Sequence, residues 1–137
     1  MAAISPSDAV VSFSETGWLQ FLISDRRPNL LVSCHAGEIE AVAARLMASC
    51  VPPLHVQRLP GQLVLPVDLT GTLLLWDVAQ LTLHQQIHLN DWLAIRRQQT
   101  QVISVTTAPL APLVEGGRFL EGLLYRLNVV SLFAQGW

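Results

Sequence analysis

Residues 71–81 read GTLLLWDVAQL, and the first six of them, GTLLLW, form an apolar run with no polar face. A strand with one wet face alternates apolar and polar side chains. A strand covered on both faces does not. This run therefore reads as an inner strand of a parallel sheet, ended by Asp77. Two more stretches share its character, NLLVSC at 29–34 after Pro28 and QVISVT at 101–106. Residues 54–59 alternate and give a further strand, and 128–132 a last one. Between them lie helical patterns. Ser14, Glu15, Trp18, Leu19, Phe21 and Leu22 suggest a short helix ending before Pro28. Ile39, Val42, Ala43, Leu46 and Met47 share one face of a helix over 38–49. Leu83, Ile87, Trp92 and Leu93 mark a long helix over 82–98. Short helices are predicted over 110–115 and 119–127. Pro52–Pro53, Pro60–Gly61, Pro109, Pro112 and Gly116–Gly117 mark the loops. Strands alternating with helices predict one α/β domain over 1–137, a mostly parallel sheet between two helical layers.

Composition narrows the function. The chain has 137 residues, 51% hydrophobic and 13% charged, with a net charge of -2. It is too apolar to be disordered. So few charges leave apolar surface for a partner. All eight basic residues are arginines, and Arg26–Arg27 and Arg96–Arg97 are isolated pairs. Direct nucleic-acid binding, which needs a basic stripe, is not expected. The start, MAAISPSDAVVSF, does not read as a secretory leader, and no membrane-crossing segment is expected from runs as short as Leu73–Trp76. Cys34 and Cys50 read as buried thiols of a reducing compartment, so a cytoplasmic location is expected.

In a parallel sheet, ligands sit beyond the carboxyl ends of the strands. The places to search follow Cys34, Trp76 and Thr106. GTLLLWDVAQL resembles the G-T-L-F-L-D-E-I-x-x-L of the AAA+ domain in NtrC-like activators of sigma-54 RNA polymerase. EGGRFLEGLLYRLNVV at 115–130 resembles their E-G-R-F-R-E-D-L-Y-Y-R-L-N-V-V, and VISVTTAPL at 102–110 their V-I-A-A-T-N-R-D-L. The three matches come in order and cover roughly residues 29–132. The resemblance implies a P-loop NTPase fold in a bacterial regulator of transcription.

It also shows where the chain departs. VSCHAGEIEAVAARL at 32–46 stands at the phosphate loop, against T-G-E-S-G-T-G-K-E-L-V-A-R-A-I. Ser33, Cys34, His35, Ala36, Gly37, Glu38 and Ile39 are thus the relict nucleotide-binding positions. The phosphate-binding lysine is replaced by Ile39. The loop glycines fall at Ser33, Ala36 and Glu38, leaving a displaced Gly37. Glu38 would repel a triphosphate. Trp76 replaces the aspartate that serves magnesium, and Asp77 stands where a glutamate polarises water. A register one residue off makes Asp77 the magnesium ligand and Val78 the base, which still leaves no base. Thr107 takes the sensor asparagine position. Of the two arginine-finger positions, one is Leu120 and the other is kept as Arg126. The stretch from Ile39 to Trp76 lacks the insertion that carries the G-A-F-T-G-A loop. The matched region does not extend to the helical lid or the DNA-binding helix-turn-helix.

Each signal has a plainer structural reading. Glu38 suits the first turn of a helix. Asp77 ends a strand and can cap the next turn. Arg126 can pair with Glu121 or Glu115. His84 and His88, four apart, read as a solvent-facing helix surface, and Cys34–His35 as a buried thiol beside an unrelated imidazole. The reading that follows is a pseudo-ATPase domain that acts by protein–protein contact, on itself or on an intact sigma-54 activator. It holds no metal or nucleotide cofactor. The alternative is a weak ATP–magnesium-binding ATPase domain of a two-component-type response regulator.

Overall fold

The computed structural model describes residues 10–11, 27–67, 70–95 and 100–135. The helix expected after Ser14 lies outside them. The predicted strands and helices otherwise appear in order. The strands are β1 (Val10–Val11), β2 (Leu30–Ser33), β3 (Leu54–Arg58), β4 (Thr72–Trp76), β5 (Gln101–Thr106) and β6 (Val130–Phe133). The helices are α1 (Ile39–Ser49), α2 (Leu83–Ile95), α3 (Leu110–Glu115) and α4 (Glu121–Leu127). The six strands form one sheet in the order β1-β6-β2-β5-β4-β3, and every pairing is parallel.

The apolar runs explain the layering. All five residues of β4 and all six of β5 are buried. Successive side chains point to opposite faces. Leu73 and Leu75 join a core with Leu89 of α2 and Leu123 and Leu127 of α4. Leu74 and Ile103 join a second core with Val42 and Leu46 of α1. The molecule is therefore three-layered, α/β/α. Each fully buried leucine stabilises it by about 1.5–3 kcal/mol relative to an exposed one.

Local chemistry sets the element ends. Thr82 and Gln85 form a reciprocal cap on α2: the Gln85 N–H donates to Thr82 Oγ1 at 3.1 Å and the Thr82 N–H to Gln85 Oε1 at 3.0 Å. Gly71 sits where the chain passes the Pro52–Pro53 backbone, and a Cβ there would collide with the Pro53 carbonyl. That space lets Thr72 N–H reach Pro53 O at 3.0 Å.

Two elements start two residues later than the sequence reading has them. The helix predicted over 119–127 starts at Glu121. The Arg118 and Phe119 N–H groups instead bond back to Leu113 O, at 2.8 and 3.1 Å, which keeps them in the turn after α3. The last strand begins at Val130 because Asn128 caps α4, its N–H on Leu124 O at 2.9 Å. The pairing of Val10–Val11 with β6 was not read from the sequence, which offers only two β-branched residues there.

Candidate functional site

Because the strands are parallel, their carboxyl ends share one edge. The register sets Ser33 beside both Thr106 and Phe133, and Arg58 beside Trp76. The positions singled out after Cys34, Trp76 and Thr106 thus meet on that edge. Ser33, Cys34, His35, Thr106, Thr107, Ala108, Pro109 and Phe133 line a cleft of about 240 Å³. Gly37, Glu38, Ile39, Trp76 and Asp77 are not among its lining residues.

The loop after β2 is a tight turn. His35 is extended, the Glu38 N–H donates to His35 O at 2.9 Å, and a single 3-10 turn, Ala36–Glu38, leads directly into α1. Gly37 has open space around it, so nothing in its surroundings excludes a side chain. Glu38 stands at the N-cap of α1, where a carboxylate complements the helix dipole. Ile39, at the lysine position, is half-buried and packs on the core beneath α1.

Cys34 is buried, and its thiol is pushed up to about 11, first by burial and then by the negative charges of Glu38 and Asp77. It is therefore a protonated thiol at neutral pH, not a nucleophile. His35 is exposed and its ring meets Phe133 edge-on, with centroids 5.4 Å apart. Both residues line the cleft, but the protonated thiol leaves no thiolate–imidazole pair at neutral pH. Both cysteines are free, with no disulfide between them.

Trp76 is 8% exposed, and the Arg58 guanidinium carbon stands 3.8 Å from its ring centroid. The indole, which the resemblance aligns with the magnesium-serving aspartate, is thus a buried group covered by a cation. Sequence reading missed Arg58. Its only signal was a basic residue ending the strand next to Trp76.

Asp77 follows in the left-handed region, with φ 65° and ψ 59°. Burial raises its carboxyl pKa, while hydrogen bonding to the Thr107 side chain and backbone pulls the other way. Its Oδ1 is buried without a hydrogen-bond partner. The capping reading is met only by the backbone: the Asp77 carbonyl accepts the Gln80 N–H at 3.0 Å, and the side chain makes no cap. The base-like and sensor-like positions, Asp77 and Thr107, do stand together.

Arg126 lies away from this group, exposed at the end of α4. Among the described residues its guanidinium makes no ion pair, so the local pairing with Glu121 or Glu115 is not formed. The residue is held through its carbonyl, which accepts Asn29 Nδ2–H at 3.0 Å. Leu120, at the other finger position, is half-buried against the core.

Residues 23–133 match the sequence model of the Sigma-54 interaction domain family. The chain belongs to that family. Its fold is similar to three solved structures of NtrX from Brucella abortus. With the one in complex with ATP it shares 16% identity and a TM-score of 0.61, over 79% of this chain and 31% of the other. With the one in complex with ADP the values are 16% and 0.65, over 88% and 36%. With a third they are 17% and 0.66, over 91% and 38%. At such identity the likeness shows the AAA+ fold. This sigma-54 interaction domain spans about a third of the length of those chains. No curated protein matches it in sequence. No helix among the described residues is long and apolar enough to cross a membrane.

Proposed function

We propose that this sigma-54 interaction domain regulates transcription by protein contact and does not hydrolyse ATP. The observation that carries the reading is the pair of apolar side chains at the two charged positions. Ile39 packs into the core at the start of α1, and Trp76 is buried under Arg58. A triphosphate needs a cation close to its β- and γ-oxygens, and hydrolysis needs a metal clamp as well. Ile39 offers no charge, the loop is too tight to wrap phosphates, and Glu38 adds a negative charge. The residues present do not fit ATP with magnesium.

Protein contact is supported by the surface. Leu83 and Ile87, one turn apart on α2, are about half exposed, as are Tyr125 and Val129 at the end of α4. Apolar side chains so placed suit a partner, either a second copy or an intact sigma-54 activator. The chain acts in this reading in the cytoplasm, without direct contact to DNA.

A second reading, weak ATP binding within a response-regulator-like protein, draws on the neighbouring Asp77 and Thr107 and on the cleft beside Cys34. Two measurements separate the readings. Light scattering after size exclusion, alone and with an intact activator, should show a complex. Thermal melting with ATP and magnesium should show no shift. A tight ligand at a hundredfold excess over its dissociation constant would add about 2.7 kcal/mol. A shift of that order, or ATP ordered beside the loop after Cys34 in soaked crystals, would overturn the proposal.

A further inference from the structure

We propose that His84 and His88 bind a transition-metal dication of the Zn2+, Ni2+ or Cu2+ class, in the cleft between α2 and the loop at 61–63. The spacing comes first. His84 and His88 are four residues apart in an unbroken helix, which stacks their rings one turn apart on one face. The same two-histidine spacing holds zinc in helical metallopeptidase sites, because two imidazole nitrogens at this separation can reach one ion.

The cleft comes second. His84 and His88 line a space of about 320 Å³ together with Gln62, Leu63 and Gln85. Its walls are fixed. Gln85 Nε2–H donates to Gly61 O at 2.6 Å, while its Oε1 is taken by the Thr82 N–H. On the far side of Leu63, the Val64 N–H donates to Gln57 Oε1 at 3.0 Å. The loop is thus pinned on either side of Gln62 and Leu63, which line the cleft with the histidines. Both rings are exposed, and neither makes a hydrogen bond among the described residues, so their lone pairs are open to an ion.

The donor set defines the ion and the role. Imidazole favours borderline dications over magnesium or calcium. No group of three His, Cys, Asp or Glu that could hold a metal is present among the described residues, so water completes the shell. Affinity falls well below that of a four-ligand structural site. The residue after the first histidine, a glutamate base in the peptidase motif, is here Gln85, and its amide is committed to Thr82 and Gly61. The site binds and does not hydrolyse. A bound ion would join the first turns of α2 to the 61–63 loop.

The test is calorimetric titration of the whole chain with zinc chloride. Nickel or copper quenching of tryptophan fluorescence is read in parallel, since Trp92 lies one turn beyond His88. One site per chain is expected. His84→Ala or His88→Ala should weaken it at least ~10-fold, as loss of a ligand or its support does. His35→Ala and His55→Ala should leave it unchanged. Both cleft histidines are exposed, so their removal leaves the core intact, and an unchanged melting temperature without metal would confirm this. Absence of saturable binding by the parent chain at millimolar metal would overturn the proposal. So would an unaltered isotherm in the doubly substituted chain, or loss of binding on His35→Ala or His55→Ala.

Discussion

Gln86 accepts a hydrogen bond from the backbone N–H of Leu120 at 2.8 Å, 34 positions along the chain. Its amide nitrogen also donates to Leu81 O at 3.1 Å and Arg118 O at 2.9 Å. The side chain is 1% exposed, so these three bonds form away from water. The bonds to Arg118 and Leu120 fasten α2 to the turn that leads into α4, and the third ties it to Leu81 just before the helix. Gln86→Leu keeps the volume and removes every partner at once. A buried group left unpaired costs about 1–3 kcal/mol. Urea unfolding should therefore show a loss of at least that size, with little change in slope. A shift of the midpoint within error would show that the clamp is replaced by water.

Gly71→Ala should be still more damaging, because nothing flexible lies in the way. The added methyl meets the backbone of Pro52 and Pro53, not a side chain that can turn aside. Relief requires the β3–β4 connection to move, which breaks the Thr72 N–H to Pro53 O bond and strains the Gln101 N–H to Gly71 O bond, both 3.0 Å. Overpacking of this kind costs about 1–3 kcal/mol. The melting temperature should fall by several degrees. Gly37→Ala, in open space, serves as the control and should leave it unchanged.

The thiols give a pH prediction. Burial raises both Cys34 and Cys50 to about 11, from an unperturbed 9.0. A thiol whose folded pKa is raised holds its proton more tightly in the native state. Stability from this source is complete below pH 9.0 and is lost progressively as pH climbs towards 11. Denaturant titrations at pH 8 and above pH 10 should show the decline, and replacing both cysteines by alanine should flatten it. Native-state alkylation should stay slow at pH 8 and accelerate only near pH 11.

The fold was legible where the sequence signal and the burial share a cause. GTLLLW has no polar face because β4 has no wet face, and QVISVT predicts β5 to the residue. Helix α1 was read from the face formed by Ile39, Val42, Ala43, Leu46 and Met47, of which it buries Val42, Ala43 and Leu46. The site was legible only as a set of positions. That Cys34, Trp76 and Thr106 end neighbouring strands follows from parallel order. What each side chain does there depends on contacts between distant segments. Arg58 over Trp76 joins β3 to β4, and Asn29 joins β2 to α4 and β5 through Arg126 O and the Val102 N–H. Neither leaves a periodic trace. Nor does a two-residue strand such as Val10–Val11.

Asp77 offers the sharpest test of whether the edge is kept for chemistry or for shape. Its carboxyl is raised by burial, so at neutral pH the ionised form opposes folding. The sign follows from linkage. A carboxyl raised in the native state favours folding at low pH and ceases to do so as pH rises through its folded pKa. Asp77→Asn removes that charge, can still accept from Thr107, and tolerates the left-handed backbone at φ 65°. Asp77→Ala removes the charge as well but loses the Thr107 contact and suits that backbone poorly. The asparagine variant should therefore melt above the parent at pH 7, with the difference shrinking towards pH 3, and the alanine variant should melt below the asparagine one throughout. A domain that used Asp77 as a base would lose activity with either change. A domain that acts by contact should bind its partner equally well through the asparagine variant.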